Sequence, residues 1–427
     1  MAKVITTELQ HSGASGANIT LDSSKNVTCE NNLQVDGNVT VTGTLPADKL
    51  TGNLPAISGA SLTGISSSDT LSHRNKLHNP DLKVWQRASS FSPTTSSVYT
   101  ADRWQNACGA SFNQDTTVTK STDVPNNAGT AYSIKIEADA AVTPSGGDNM
   151  VFRQRLEGRD LHDFDFGGAN AKGLVASFWC KCNSSAAGAY SFSPRFFDSS
   201  GNGYGQIHNF TPTTSWARYT FVLAANGKAL DTSIATGNAV GFEFAIHLAT
   251  GSSDVVSAHS TWASQGWAGT GSKNFMDDAA NEIYFTGFQL EAGSAVTDLE
   301  VLSYQDELLR CQRYLYMIFS NSAGEPLGLL GYLPNTSVVY YSHVFPVPMK
   351  GGPTFSKESS FSVKHISYDD SGSSDSGLTQ EVYNANPRDN SVTAVTLKFT
   401  VAGLGDAGTC GQLQGQNAGW LKWEAEV

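Results

Sequence analysis

The first 84 residues of this chain contain no Phe, Tyr or Trp, and all 43 aromatic residues lie from Trp85 onward. At the chain's average of 10% aromatic residues, a stretch of this length should contain about eight. Within it, residues 33–45 alternate between small apolar or glycine residues and polar ones, which predicts a β-strand with one buried face. Small side chains on a single strand cannot offset the entropy of ordering it. The stretch therefore requires partners, and the simplest partners are identical chains around a shared axis.

A short repeat follows this alternating segment. Residues 41–47 (VTGTLPA) recur nine residues later as 50–56 (LTGNLPA), and residues 62–65 (LTGI) form a partial third copy. A repeat of this kind suits a narrow array of stacked units, although a flexible linker is the alternative. Because an apolar residue precedes each Thr-Gly pair, we predict an ordered β-stem of several identical chains within residues 1–70. The residues predicted to face its axis are Leu33, Val35, Val39, Val41 and Leu45.

The charge pattern excludes several classes of partner. The net charge is −12 and is spread without blocks, which argues against a basic surface for nucleic acid or anionic membrane. The sequence has no run of 18 apolar residues, so we expect no membrane insertion. The first ten residues, MAKVITTELQ, lack the pattern of a signal peptide. We therefore expect assembly in a cytoplasm.

The remainder of the chain predicts an all-β protein with two further domains. Residues 174–182, 219–223 and 240–248 alternate cleanly between apolar and polar positions, and Gly/Asn/Ser turns separate such runs. This pattern predicts a β-sandwich over residues 75–302. Ser303 is suited to cap one short helix, which we predict to link the sandwich over 303–317 to a second β-sandwich at 318–427.

Several sequence words then indicate a family. Residues 75–87 (NKLHNPDLKVWQR), 99–104 (YTADRW) and 288–293 (FQLEAG), followed by the segment 303–314, occur in a fixed order. Together they resemble a domain common in phage tail fibre and tail-associated proteins, over roughly residues 75–315. The stem repeat is similar to those of tail fibres from marine cyanobacterial phages.

This resemblance implies a structural protein of the virion rather than an enzyme. The fibre would be a homotrimer, with its N-terminus docked on the tail (an adaptor, nozzle or baseplate) and residues 318–427 placed distally. It would attach to host surface polysaccharide or lipopolysaccharide through a domain similar to jelly-roll carbohydrate-binding modules. Members of that fold often hold a structural calcium, for which Asp81 and Glu291 are the matching positions. Lys83 replaces the usual acidic residue, which argues against the calcium, and the resemblance implies no other cofactor.

Two tryptophans are candidates for sugar binding. Sugar rings pack on flat apolar faces while polar groups bind their hydroxyls. Trp262 and Trp267 lie among Gly and Ser residues, away from any strand pattern, and we predict them as ring platforms. The alternative is that they fill the end of the sandwich or a trimer contact, since tryptophan is commonly buried.

Two rival functions remain open at this stage. The first is a tail depolymerase that hydrolyses host polysaccharide, for which Asp163 and Asp165 are the candidate pair of catalytic carboxylates. Carboxylates two residues apart usually belong to a turn. Asp369, Asp370 and Asp375 are more typical of a solvated loop than of a calcium site. The second rival is a capsid or neck fibre with the same fold.

Overall fold

A computed structural model of the chain divides into two compact units, residues 1–66 and residues 67–427. The structure describes residues 73–92, 96–109, 112–165, 171–223, 235, 237–264, 266–358, 361–365, 371–375, 378–380, 392–400, 408, 410–415 and 417–426, together with three short strands of the first unit. No helix in these ranges is long and apolar enough to cross a membrane.

The first unit contains a small antiparallel sheet. Its strands pair in the order β1-β2-β3, and they are β1 Glu8–Leu9, β2 Ile19–Leu21 and β3 Val27–Cys29. The predicted axial residues of the stem (Leu33, Val35, Val39, Val41 and Leu45) lie outside the described residues, so the trimeric stem stays a prediction.

The first part of the second unit is made of strands and short 3₁₀ helices. The strands are β4 Ser90–Phe91, β5 Val98–Tyr99, β6 Gln105–Gly109, β7 Thr116–Ser121, β8 Ser133–Ala138, β9 Asn149–Glu157, β10 Leu174–Cys182, β11 Tyr190–Phe192, β12 Arg195–Phe197, β13 Gly203–Phe210, β14 Ala217–Leu223, β15 Val240–Thr250, β16 Val255–Val256, β17 His259–Ala263, β18 Ala268–Gly269 and β19 Glu282–Ala292. The 3₁₀ helices are Gly158–Phe164, Ser252–Asp254 and Phe275–Asp277.

These strands form a sandwich of two antiparallel sheets. The first sheet has the order β14-β10-β19-β8-β7-β4, and the second has the order β11-β13-β12-β15-β9-β6-β5 with β17 paired to β13. Aromatic side chains join the sheets: the Phe178 ring of the first lies 5.8 Å from Phe192 and 6.1 Å from Phe244 of the second. The clean period-two alternation of the sequence places these rings inward, where one large apolar core forms.

The last part of the second unit is a second layered β-structure. After helix α1 (Tyr304–Gln312) come β20 Leu315–Ser320, β21 Pro326–Asn335, β22 Val338–Val344, β23 Thr354–Lys357, β24 Phe361–His365, β25 Ser371–Asp375, β26 Leu378–Gln380, β27 Ala394–Thr400, β28 Cys410–Gly415 and β29 Gly419–Glu424. They form the sheets β20-β29-β23 and β25-β24-β28-β21-β22-β27-β26. A separate core lies between these sheets, with Trp423 packed against Tyr316 and Phe355.

The all-β prediction with one short connecting helix is therefore confirmed. Ser303 caps α1, and its hydroxyl accepts a hydrogen bond from the Asp306 amide at 3.1 Å. The helix is shorter than predicted because the chain from Leu315 pairs with β29 instead of continuing the helix. Backbone hydrogen bonds to a sheet thus replace the helical ones predicted for residues 315–317.

The two ends of the sequence resemblance meet in space and close the sandwich. Asn75 donates a hydrogen bond to the Phe288 carbonyl at 2.8 Å and accepts one from the Leu290 amide at 3.0 Å. The Asn79 amide donates to Glu307 of α1 at 2.6 Å, and the Asn79 side chain bonds Val84. Asn79 has a φ of 50°, a conformation that asparagine tolerates better than most residues. The sequence segments 75–87 and 288–314 thus have a structural role, because their hydrogen bonds close the sandwich.

Candidate functional site

The outer surface of the second sandwich sheet carries a row of polar side chains. Glu243 of β15 pairs with Arg155 of β9 on one side and with Arg195 of β12 on the other. Arg153 pairs in turn with Gln105 of β6. Because side chains alternate along each strand, these residues point away from the phenylalanine core. We call the following set the polar face: Gln105, Arg153, Arg155, Arg195, Glu243, His247 and Trp267.

Glu243 is the centre of this face. It is buried, and its Oε2 accepts hydrogen bonds from Arg155 Nε at 2.7 Å and from Arg153 Nη1 at 3.1 Å. Burial disfavours its charge, but the two guanidinium groups outweigh this and lower the pKa of Glu243. The carboxylate is therefore ionised at neutral pH and fixes the orientation of both arginines. Arg153 also donates to Gln105 at 2.9 Å.

Trp267 lies half-buried beside this network. The Arg195 guanidinium lies 3.5 Å from the centre of its ring, a close cation–π contact. Backbone hydrogen bonds hold the surrounding loop to the sheet: the Trp267 amide donates to the Asp254 carbonyl at 2.7 Å, and Ser193 donates to the Trp267 carbonyl at 2.5 Å. The ring is thus fixed in place, with arginine on one side and partial access to solvent.

Trp262 is placed differently from Trp267. It lies on β17, is only 8% exposed and belongs to the main core, with its ring 4.9 Å from Phe196 in an edge-on arrangement. The stretch expected to be loop contains two short strands, β17 and β18. The structure therefore does not bring the two predicted platforms onto one surface, and only Trp267 borders the polar face.

The structure places both residues predicted for calcium against protein partners. Asp81 Oδ2 lies 3.1 Å from the Lys83 ammonium, which carries the positive charge that a metal would otherwise supply. Glu291 is saturated by the Thr297 amide and hydroxyl and by Gln289. Calcium takes six to eight oxygen ligands. Within the described ranges, no three His, Cys, Asp or Glu side chains converge as ligands.

The other acidic candidates do not form a paired site either. Asp163 pairs with Lys76 at 2.8 Å and is half-exposed, while Asp165 follows the 3₁₀ helix as its left-handed C-cap. Asp369 and Asp370 lie outside the described residues, and Asp375 ends β25.

Sequence reasoning missed most of the polar face, including a buried histidine. His247 lies opposite the apolar residues of β15, a position that in an alternating strand is usually exposed. It is buried, 5.8 Å from the Trp267 ring, and neither ring nitrogen has a hydrogen-bond partner among the residues that the structure describes. Burial is the largest cause that lowers the pKa of His247, to about 3. The positive charges of Arg195 and Arg153 lower it as well, while the negative charge of Glu243 opposes them.

This histidine predicts a loss of stability in acid. An unfolded histidine titrates near pH 6.5, so between pH 6.5 and 3 the unfolded chain binds a proton that folded His247 does not. Lowering the pH from 7 to 5 should therefore reduce the free energy of unfolding by about 2 kcal/mol through this residue alone. Urea unfolding at both pH values measures it. In His247→Leu the pH-dependent loss should be smaller by that amount, and an unchanged loss would contradict the assignment.

Comparison with known proteins gives structural likenesses only. No protein-family model matches the sequence, and no curated protein matches it. Among solved structures, the enzymatically active domain of tailspike protein 4 from bacteriophage CBA120 is 14% identical, with a TM-score of 0.24, and covers 52% of this chain and 22% of that one. A family 11 carbohydrate-binding module from a Clostridium thermocellum cellulase is 11% identical, with a TM-score of 0.24, and covers 48% of this chain and 96% of the module. A family 61 module in complex with β-1,4-galactotriose is 11% identical, with a TM-score of 0.25, and covers 52% of this chain and 99% of the module. All these TM-scores lie below 0.5, so these likenesses carry no argument about the function of this chain.

Proposed function

We propose that this chain is a structural virion component, a homotrimeric tail fibre that attaches to host surface glycans. The observation that carries the glycan proposal is the fixed, half-buried Trp267 ring next to the Arg153–Glu243–Arg155 network. A flat aromatic ring with planar hydrogen-bonding groups beside it is a combination well suited to sugar recognition. The virion assignment rests on the resemblance of residues 75–315 and of the stem repeat to tail fibres.

The charge of the polar face favours an acidic glycan. Its residues include three arginines and one glutamate, a local excess of positive charge on a protein whose net charge is −12. Guanidinium groups bind carboxylates and phosphates in a bidentate manner. The proposed receptor is therefore a host polysaccharide or lipopolysaccharide with carboxylate or phosphate groups. Three polar faces per trimer would raise the effective concentration of weak sites.

Replacing Trp267 by alanine tests the glycan site. We expect Trp267→Ala to weaken binding to the host polysaccharide by at least about tenfold, because the ring loses its packing against the sugar. The melting temperature should change little, since the hydrogen bonds of Trp267 come from its backbone. Isothermal titration calorimetry measures the affinity and scanning calorimetry the melting.

Trp420→Ala is the matched control, because Trp420 is also partly buried but lies on β29. Its affinity for the polysaccharide should equal that of the unmodified protein. If Trp267→Ala binds normally, or melts far lower, the ring is a packing element and not a platform.

The depolymerase remains the alternative. A glycosidase of the usual type needs one carboxyl group that stays protonated and a second one beside it. Glu243 has a lowered pKa and binds two arginines, which suits a structural carboxylate better than a general acid. Incubation with host polysaccharide should release no new reducing ends, and steady release would favour the enzyme.

The assembly and its location need separate tests. Light scattering of the full chain should give three times the mass of 45.3 kDa, and a monomer would contradict the fibre. Imaging virions that carry a label at the N-terminus of this protein should place the label on the tail. A label on the capsid or neck would favour the rival function of a capsid or neck fibre.

A further inference from the structure

A separate pocket of about 370 Å³ lies where three segments of the second unit meet. The segments are residues 73–78, the 3₁₀ helix Gly158–Phe164 and the end of α1 with the two residues that follow it. The lining residues are His73, Asn75, Lys76, His78, Asp160, Arg310, Arg313 and Tyr314. None of them belongs to the polar face. The volume lies in the lower part of the range of small-molecule sites.

Two of the lining residues form their hydrogen bonds with other groups of the protein. Arg313 donates from Nε and Nη2 to the carboxylate of Glu157 at 2.7 and 2.8 Å, and from Nη1 to the Pro348 carbonyl at 3.0 Å. The Tyr314 hydroxyl also donates to Glu157, at 2.7 Å. These groups are satisfied by the protein and give the pocket a fixed shape.

Other lining groups have hydrogen-bonding capacity to spare. Asp160 accepts no hydrogen bond and forms no ion pair within the described ranges. Among the described residues, the hydrogen bonds that Arg310 donates are long, 3.4 Å to Glu307 and 3.3 Å to the Leu77 carbonyl. Lys76 pairs with Asp163 through one of its three N–H groups. The pocket therefore presents one free carboxylate acceptor together with nitrogen donors.

The charges of the pocket indicate a neutral ligand. Lys76 pairs with Asp163 and Arg310 with Glu307, while Arg313 shares Glu157 with Arg159. Asp160 supplies a fourth carboxylate, so the four cations are balanced by four carboxylates. No excess of positive charge is left for an anion, in contrast to the polar face.

We propose that this pocket binds a single neutral sugar residue. A sugar hydroxyl both donates and accepts hydrogen bonds, so it can donate to Asp160 while its neighbour accepts from Arg310 or Lys76. The inference goes beyond the proposed function, because it adds a second site with a different ligand charge. It leaves the attachment role of the polar face unchanged.

Saturation-transfer NMR and calorimetry with glucose, galactose, mannose and glucuronate test this site on the full chain. We expect at least one neutral sugar to bind at millimolar concentration and glucuronate to bind more weakly. Asp160→Asn, which keeps the shape of the side chain, should weaken that binding at least tenfold, and Arg310→Gln should weaken it as well. Asp278→Asn, a change to an exposed carboxylate outside the pocket, should leave it unchanged.

The two sites are distinguishable by their variants. Trp267→Ala should leave binding of the neutral sugar unaffected, while Asp160→Asn should leave polysaccharide binding through the polar face largely intact. Binding of no neutral sugar by the unmodified protein would overturn the proposal. So would a preference for glucuronate, or neutral-sugar binding that survives both pocket variants with their folds intact.

Discussion

Trp104→Ala should lower the free energy of unfolding of the sandwich by about 3–5 kcal/mol, the usual cost of removing a large buried aromatic side chain. Trp104 is fully buried, and its ring joins the two sheets: its centre lies 4.0 Å from Phe288 on one sheet and 5.1 Å from Phe152 on the other. Its indole nitrogen also donates to the Asn79 carbonyl at 3.0 Å. The substitution would leave a cavity and remove one of the two hydrogen bonds that the Asn79 carbonyl accepts, the other coming from the Leu82 amide at 3.2 Å.

Urea unfolding followed by tryptophan fluorescence, together with thermal melting, measures this effect. A decrease of this size corresponds to a fall in melting temperature of roughly 10 °C. Trp216→Ala is the control, because Trp216 is partly exposed and donates one hydrogen bond to Asp123 at 3.0 Å. A Trp104 variant no less stable than the control would show that the ring does not hold the sheets together.

Glu426→Ala should detach the second β-structure from the sandwich, with a loss of about 3 kcal/mol. Glu426 accepts hydrogen bonds from Arg87 at 2.9 Å and from Arg103, and all three side chains are buried or nearly so. Removing one partner of a buried ion pair leaves an uncompensated charge, which typically costs about 3–5 kcal/mol. We expect the lower end, because Arg87 keeps Glu424 at 2.6 Å and Arg103 keeps the Tyr314 ring at 3.4 Å.

Limited proteolysis and chemical unfolding measure this loss. Residues 419–426 should become sensitive to protease in Glu426→Ala but not in Glu358→Ala, which removes an exposed carboxylate. Combining Glu426→Ala with Arg103→Met should restore part of the stability, since the orphaned guanidinium is then gone. Stability equal to that of the unmodified protein in the single variant would contradict the proposed role of the ion pair.

Local sequence signals were sufficient for several elements of the fold. The alternation over residues 174–182 and 240–248 corresponds to β10 and β15, because period-two patterning selects both a strand and its buried face. Ser303 marked the start of α1 because an N-cap depends only on the next few residues. The end of that helix could not be predicted, since strand pairing with β29, more than 100 residues away, competes with it.

The candidate sites depended on contacts distant in sequence. Trp262 and Trp267 look alike in the sequence, yet Trp262 meets Phe196 in the core and Trp267 meets Arg195 on the outer surface. The arginines of β9 belong to no recognisable sequence motif, because their role depends on the carboxylate of the neighbouring strand β15.

The sequence by itself determined that the described chain is built of strands, that one helix begins after Ser303, and that aromatic cores follow an aromatic-free segment. These properties depend on periodicity, capping and composition, which act over a few residues. Only the tertiary structure decided which polar groups meet. The polar face assembles from β6, β9, β12, β15 and a loop, and the pocket assembles from residues 73–78, 158–164 and 310–314, because hydrogen-bonded register and packing join segments that no local pattern connects.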